Sequence, residues 1–125
     1  MTLAPSLFDA TISQLTYGLS GLSQRQQLIS NNLANIDTPG YLTHDIAFEQ
    51  QLLQVMNNPL SNAAAPSELP QPYTRNDLQV RNDGNNVDIN QQMTELTGTS
   101  VSYQAEVNLI NSKFTMLTTA LAPIN

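Results

Sequence analysis

The chain has 125 residues, a net charge of −6, no cysteine and four basic residues, Arg25, Arg75, Arg81 and Lys113. Nucleic acid and anionic membrane surfaces both select a basic footprint, so neither is an expected partner, and disulfides and thiolate metal sites are excluded by composition. No apolar run approaches the roughly 20 residues of a membrane-spanning helix, and Met1-Thr2-Leu3-Ala4-Pro5 lacks the basic start and apolar stretch of a cleaved signal, so neither membrane insertion nor signal cleavage is expected.

The first predicted element is a long helix from about Ser6, capped there with Asp9 in the first turn, to about Asn35. Its apolar residues Phe8, Ile12, Leu15, Leu19, Leu22, Ile29, Leu33 and Ile36 fall on a 4-3-4-3 spacing that only Gln26 interrupts. Such spacing makes a narrow stripe that asks for a helical partner. Gly18 and Gly21 lie inside the helix and suit close approach of another backbone. Asp37-Thr38-Pro39-Gly40-Tyr41 stops it, because Pro39 drives Thr38 out of helical space and Pro-Gly suits a tight turn.

A short helix is expected from Asp45, with Phe48, Leu52 and Met56 four apart. Residues 57–77 read as a linker, with Pro59, Pro66, Pro70 and Pro72 around an alanine run. Leu78-Gln79-Val80 and Val87-Asp88-Ile89 alternate on either side of Asp83-Gly84, which suggests a small hairpin, with an irregular loop as the alternative. Asp88 or Asn90 then caps a second long helix. Its stripe is Met93, Leu96, Tyr103, Val107, Ile110, Phe114, Leu117, Leu121 and Ile124, with Ser100 as the one polar member.

The expected fold is therefore mainly α. N- and C-terminal heptad helices (1–36 and 89–125) pair as a coiled-coil-like inner domain. The central excursion (37–88) carries loop, short helix, Pro-rich linker and small β-hairpin. The positions beside the stripes, Asp9, Thr11, Thr16, Gly18, Ser23, Arg25, Ser30 and Asn32 in the first helix and Thr97, Thr99, Gln104, Glu106, Asn111, Lys113, Thr118 and Ala120 in the second, are mostly small and uncharged where a soluble coiled coil carries alternating Glu and Lys. Charged residues make up 11% of the chain, against about a quarter in an ordinary soluble domain. Val101, Leu109 and Met116 lie off the stripe and suggest a second contact face. The free subunit is expected to be loose at its ends and to order on assembly.

Catalytic chemistry finds no support. His44 is the single histidine; Asp45 beside it points elsewhere along the chain, and no nucleophile is placed by spacing. The carboxylate and amide groups of 83–88 lack the spacing and distal bidentate Glu of a calcium loop, so turn chemistry is the simpler reading. No cofactor is implied. Two polar segments stand out: Ser30-Asn31-Asn32-Leu33-Ala34-Asn35, whose amides can satisfy the free carbonyls of a helix end, and Arg81-Asn82-Asp83-Gly84-Asn85-Asn86-Val87-Asp88, a dense polar turn before the second helix.

Asn32-x-x-Asn35 followed by Thr38-Pro39-Gly40-Tyr41, between two terminal heptad helices, resembles the bacterial flagellar rod, hook and hook-filament junction proteins. The 81–88 run and the short length resemble the proximal-rod members most closely. There are departures: Leu42 stands where the family usually has a basic residue, Asn90-Gln91-Gln92 where acidic residues enter the helix, and Gly98 to Ser100 where a more helix-favouring stretch is usual.

The resemblance implies a structural subunit of the proximal rod in the periplasm, stacked helically around a channel and transmitting torque. It implies as partners copies of itself, other rod subunits, the rod–membrane-ring junction protein FliE, the MS ring and the flagellar type III export apparatus. Its assembly motif would be Asn32, Asn35, Thr38, Pro39, Gly40 and Tyr41, and Phe48-Glu49-Gln50-Gln51-Leu52 matches a short export element. Another axial rod or hook-family subunit and a soluble helical adaptor are the alternatives.

Overall fold

A computed structural model describes residues 3–57 and 65–122, with side chains from residue 10 onward. In order come α1 (Leu3–Ala34), β1 (His44–Asp45), α2 (Glu49–Met56), β2 (Tyr73–Thr74) and α3 (Ile89–Leu121). Helix α1 has already formed at Leu3, ahead of the expected start at Ser6. Pro5 is tolerated there because first-turn amides have no intrahelical acceptor. The Ser6–Asp9 cap, Phe8, Ile124 and part of the Pro-rich linker lie outside the described side chains or residues.

The two long helices pair antiparallel. The amide of Asn32 meets Gln92, Gln26 meets Ser100, and Gly18 lies under Glu106, so each step down α1 is a step up α3. Gln26 and Ser100, the lone polar members of the two stripes, hydrogen-bond to each other at 3.2 Å. A matched polar pair in an apolar seam fixes which residues face which.

The seam is less buried than a coiled coil predicts. Leu22 and Ile29 are buried, while Ile12, Leu15, Leu19, Leu33, Leu96, Tyr103, Val107, Ile110 and Leu117 are half-buried. Met93, Phe114 and Leu121 are exposed, Leu121 at 74%. The two buried side chains of α3 are instead Gln92 and Thr99. They belong to a polar row, Gln92, Thr99, Glu106 and Lys113, spaced by seven and lying beside the seam. On α1 the facing row is Thr11, Gly18, Arg25 and Asn32, with the same spacing.

The rest of the chain explains the shift. Residues 41–56 and 65–75 cover this polar edge of the pair, through contacts to Asn32, Arg25, Gly21 and Ser13. The opposite edge, with Thr16, Ser23, Ser30, Thr97, Gln104 and Asn111, stays exposed.

The core lies where the central segment crosses α1. Tyr17, Leu22, Ile46 and Phe48 form it, with Leu28, Leu52, Ala65, Leu69 and Tyr103 against them. Phe48 meets Tyr17 edge-on, with ring centroids 6.4 Å apart. Its ring occupies the place where a side chain at Gly21 would stand. Gly21 therefore admits an aromatic ring, and Gly18 a carboxylate, where approach of a second backbone was expected.

The small sheet is real but lies elsewhere. It pairs His44 with Thr74 and Asp45 with Tyr73, and residues 78–80 and 87 form no strand. The expected turn at Asp83-Gly84 does form: the Gly84 amide donates to the Arg81 carbonyl at 2.9 Å, and Gly84 has φ +85°. Its flanks do not zip, because the Asn85 and Asn86 amides hold neighbouring backbone in place of a strand ladder.

Candidate functional site

The two polar segments singled out above meet at the base of the helical pair. Asn32 is fully buried. Its side-chain N–H groups donate to the His44 carbonyl and to Gln92 Oε1, each at 2.9 Å. Its Oδ1 accepts from the Tyr41 hydroxyl and the His44 amide, each at 3.0 Å. Every donor and acceptor of the amide is used, and one side chain ties α1 to the turn, to β1 and to α3. Gln92, fully buried, is one of the departures from the family pattern noted above. Burial raises the pKa of the Tyr41 hydroxyl, and its ring packs tilted on His44 at 5.4 Å.

Asn35 works on the helix end. Its amide donates to the Asn31 carbonyl at 2.8 Å, and its Oδ1 accepts from the Thr38 hydroxyl at 3.1 Å. Pro39 leads into Gly40, whose φ of +76° is open to glycine and strained for other residues.

The 81–88 segment closes over this exit. Asn85, fully buried, donates to the Asn35 and Thr38 carbonyls at 2.9 Å each, and its Oδ1 accepts from the Val87 amide at 2.7 Å. Arg81 donates to the Ile36 carbonyl. The Asp83 carbonyl accepts from the Gly40 amide at 2.9 Å. A Cβ on Gly84 would lie 3.2 Å from the Gly40 Cα, so the two turns pack glycine to glycine.

Asn86 faces the sheet: its Oδ1 accepts from the Thr43 amide and its Nδ2 donates to the Arg75 carbonyl, both at 2.7 Å. Val87 is buried, Asn82 is exposed, and Asp88 caps α3 by accepting from the amides of Asn90 at 2.9 Å and Gln91 at 3.2 Å. Residues 43 to 60 positions apart are thus locked into one knot, beside an open groove lined by Ile36, Val80, Arg81, Asn86 and Ile89.

A second cluster escaped the sequence reading. Arg25 donates to Asp45 Oδ1 at 3.2 Å, to both oxygens of Glu49 and to the Ile46 carbonyl at 2.6 Å, with its guanidinium 4.9 Å from the centre of the Phe48 ring. Burial works to lower its pKa, but Glu49 and then Asp45 outweigh it and raise it. Arg75 joins Asp77 at 2.6 Å and Glu95 at 3.4 Å. The signal that points to Arg25 is the seven-residue spacing Thr11, Gly18, Arg25, Asn32, which puts it on the covered edge with the motif asparagine.

Leu52 of the Phe48–Leu52 element is half-buried against the core, and Phe48 is 2% exposed. Across α3, Val101, Leu109, Phe114, Met116 and Leu121 are exposed, at 49–74%.

A family model described as "Flagella basal body rod protein" matches residues 15–41, the stretch that ends in the Asn32–Tyr41 motif. The chain is 37% identical to the flagellar basal body rod protein FlgB of Bacillus subtilis (strain 168) over 125 residues, covering 93% of this chain and 96% of that protein. It is 36% identical to the FlgB of Aeromonas hydrophila, covering 91% and 94%. With the FlgB of Escherichia coli (strain K12) the identity is 30%, covering 84% and 88%.

Proposed function

The chain belongs to the FlgB family of flagellar basal body rod proteins and is a structural subunit of the rod; from that premise we propose how its parts serve assembly. It works with other components of the basal body. In our reading it occupies the proximal rod, in the periplasm, next to FliE and the MS ring. Residues 1–36 and 89–125 form the inner tube wall around the export channel, and 37–88 form the outer contacts. Torque passes through packing between subunits, and no catalysis is involved.

The observation that carries this reading is the one-sided cover of the helical pair. The central segment buries one edge, while the opposite edge and the α3 face through Val101, Leu109 and Met116 are uncharged or apolar, and exposed. Between Leu96 and Leu121, α3 carries two charged residues, Glu106 and Lys113. A contiguous, weakly charged, partly apolar surface marks a protein–protein contact. The Asn32–Tyr41 and 81–88 knot sets the angle at which the two helices leave the central segment.

Deleting the gene tests the assignment: we expect loss of motility and basal bodies without a complete rod in electron micrographs, and intact rods would refute it. Leu109→Asp tests the surface. The purified chain should keep its helical circular dichroism, yet fail to restore motility; restored motility would remove that face from assembly.

Export through the type III apparatus is part of the same reading, with Phe48–Leu52 as the recognised element. Because Phe48 is buried in the folded chain, recognition would require the unfolded chain. Phe48→Ala should block secretion while Leu22→Ala, which damages the same core, leaves it intact. Equal secretion of the two would leave Phe48 a core residue only.

A further inference from the structure

Among the described residues, the polar row between α1 and α3 has an unmatched rung at Glu106. Asn32 meets Gln92 with all its bonds made, and Arg25 is matched by Asp45 and Glu49. At the next rung Glu106 lies over Gly18. A Cβ at position 18 would stand 2.5 Å from Glu106 Oε2 and 2.8 Å from Oε1, so the carboxylate occupies the space that the missing side chain leaves. Glu106 Oε2 is buried without a hydrogen-bond partner among the described residues. An ionised carboxylate taken from water without a partner disfavours the state that buries it.

Among the described residues no neighbour supplies the missing charge. On α1, Tyr17 donates its hydroxyl to Gln51, and Arg25, one rung along, is held by Asp45, Glu49 and the Ile46 carbonyl. On α2, Glu49 is held by Arg25. On α3, Tyr103 packs against the core and Lys113 lies two helical turns further on. Glu68 on the covering segment is exposed, and the Asp9 side chain lies outside those described. Burial alone raises the Glu106 pKa.

We propose that Glu106 against Gly18 is an acid-sensitive latch on the far half of the α1–α3 pair: ionised, it loosens the pair, and protonated, it lets the helices close. The sign follows from linkage. A carboxyl with a folded-state pKa above its unfolded value of about 4.3 stabilises fully below that unfolded value, and the contribution is lost as pH rises through the raised one. The latch would let acidity, or a neighbour that supplies a donor at this rung, convert a loose subunit into a closed one.

Hydrogen exchange on the purified full chain, corrected for intrinsic rates, tests this between about pH 4 and pH 8. Amides of residues 11–22 and 103–113 should gain protection as pH falls, the opening equilibrium changing by up to about tenfold per pH unit inside the window. Glu106→Gln should hold those amides at the protected, acid-like level at every pH. Glu95→Gln is the control, since burial and then Asp45 also raise the Glu95 pKa; it should leave the Glu106-dependent slope in place. A flat wild-type profile, an unchanged slope in Glu106→Gln, or lower protection in that variant at all pH values would each overturn the latch. A carbon-detected titration of Glu106 gives an independent reading, and an ordinary glutamate value would also overturn it.

Discussion

Asn32→Leu is the sharpest test of the knot, because leucine keeps the same branched heavy-atom skeleton while all four hydrogen bonds disappear. Tyr41 is half-buried, and its hydroxyl can turn toward water. Gln92 cannot: it is fully buried, so its Oε1 is left without a donor from α1. The His44 amide and carbonyl lose their side-chain partner as well. One buried unsatisfied group costs about 1–3 kcal/mol; counting Gln92 in full and the half-buried His44 groups together as one more gives a loss of about 2–6 kcal/mol. Set against a typical domain stability of about 5–15 kcal/mol, that is a large fraction.

The assay is urea unfolding followed by far-ultraviolet circular dichroism, with Gln92→Leu and the double variant completing a cycle. The coupling between the two sites should reach about 1–2 kcal/mol, because replacing both partners by apolar groups removes the orphan that either single change creates. A loss under about 0.5 kcal/mol, or strict additivity, would refute the account of Asn32 as the tie between α1 and α3.

Gly21→Ala puts a methyl inside the Phe48 ring and should cost about 1–3 kcal/mol by overpacking, read as a lower urea midpoint; a neutral result would mean that Phe48 has another place to go. Asp88→Ala removes the acceptor for two α3 amides and should cost about 1 kcal/mol in the same assay. Ser100→Ala alone should weaken the helical pair by about 1 kcal/mol through the orphaned Gln26 amide, while Gln26→Leu with Ser100→Ala should restore it and admit slipped pairings, visible as extra amide peaks in a nitrogen–proton correlation spectrum.

The long helices, the Pro39-Gly40 stop, the Asp83-Gly84 turn and the Asp88 cap could be read locally, because each depends on backbone preferences within a few residues. What escaped local reading were partnerships across the chain. The stripes predict a buried seam, and they do face each other, but nothing in a heptad says which side a third segment will cover. Once residues 41–56 and 65–75 lie over the polar row, Gln92 and Thr99 become more buried than Phe114 or Leu121. The sheet partner of His44–Asp45 was hidden for the same reason. Two-residue strands carry almost no periodic signal, and their pairing is held by Asn86 reaching Thr43 and Arg75. Asn32 and Asn85 were visible as unusual residues; that Asn32 spends its amide on Gln92, Tyr41 and the His44 backbone, and Asn85 on the backbone of Asn35, Thr38 and Val87, required the tertiary arrangement.

The polar row also bears on why a rod subunit should be built this way. A pair held by an apolar seam on both sides would close as a finished two-helix unit with little reason to accept neighbours. Here the edge that binds the central segment is specified by hydrogen bonds with fixed geometry, at Asn32, Arg25 and Asn85, each of which tolerates few alternative partners. The other edge is specified weakly, by small hydroxyl and amide side chains and by apolar residues left half in water. Specific polar contacts inside the subunit and adaptable contacts outside it let one fold keep its shape while meeting non-identical neighbours. A rod subunit assembles with other components of the basal body, and both properties serve that.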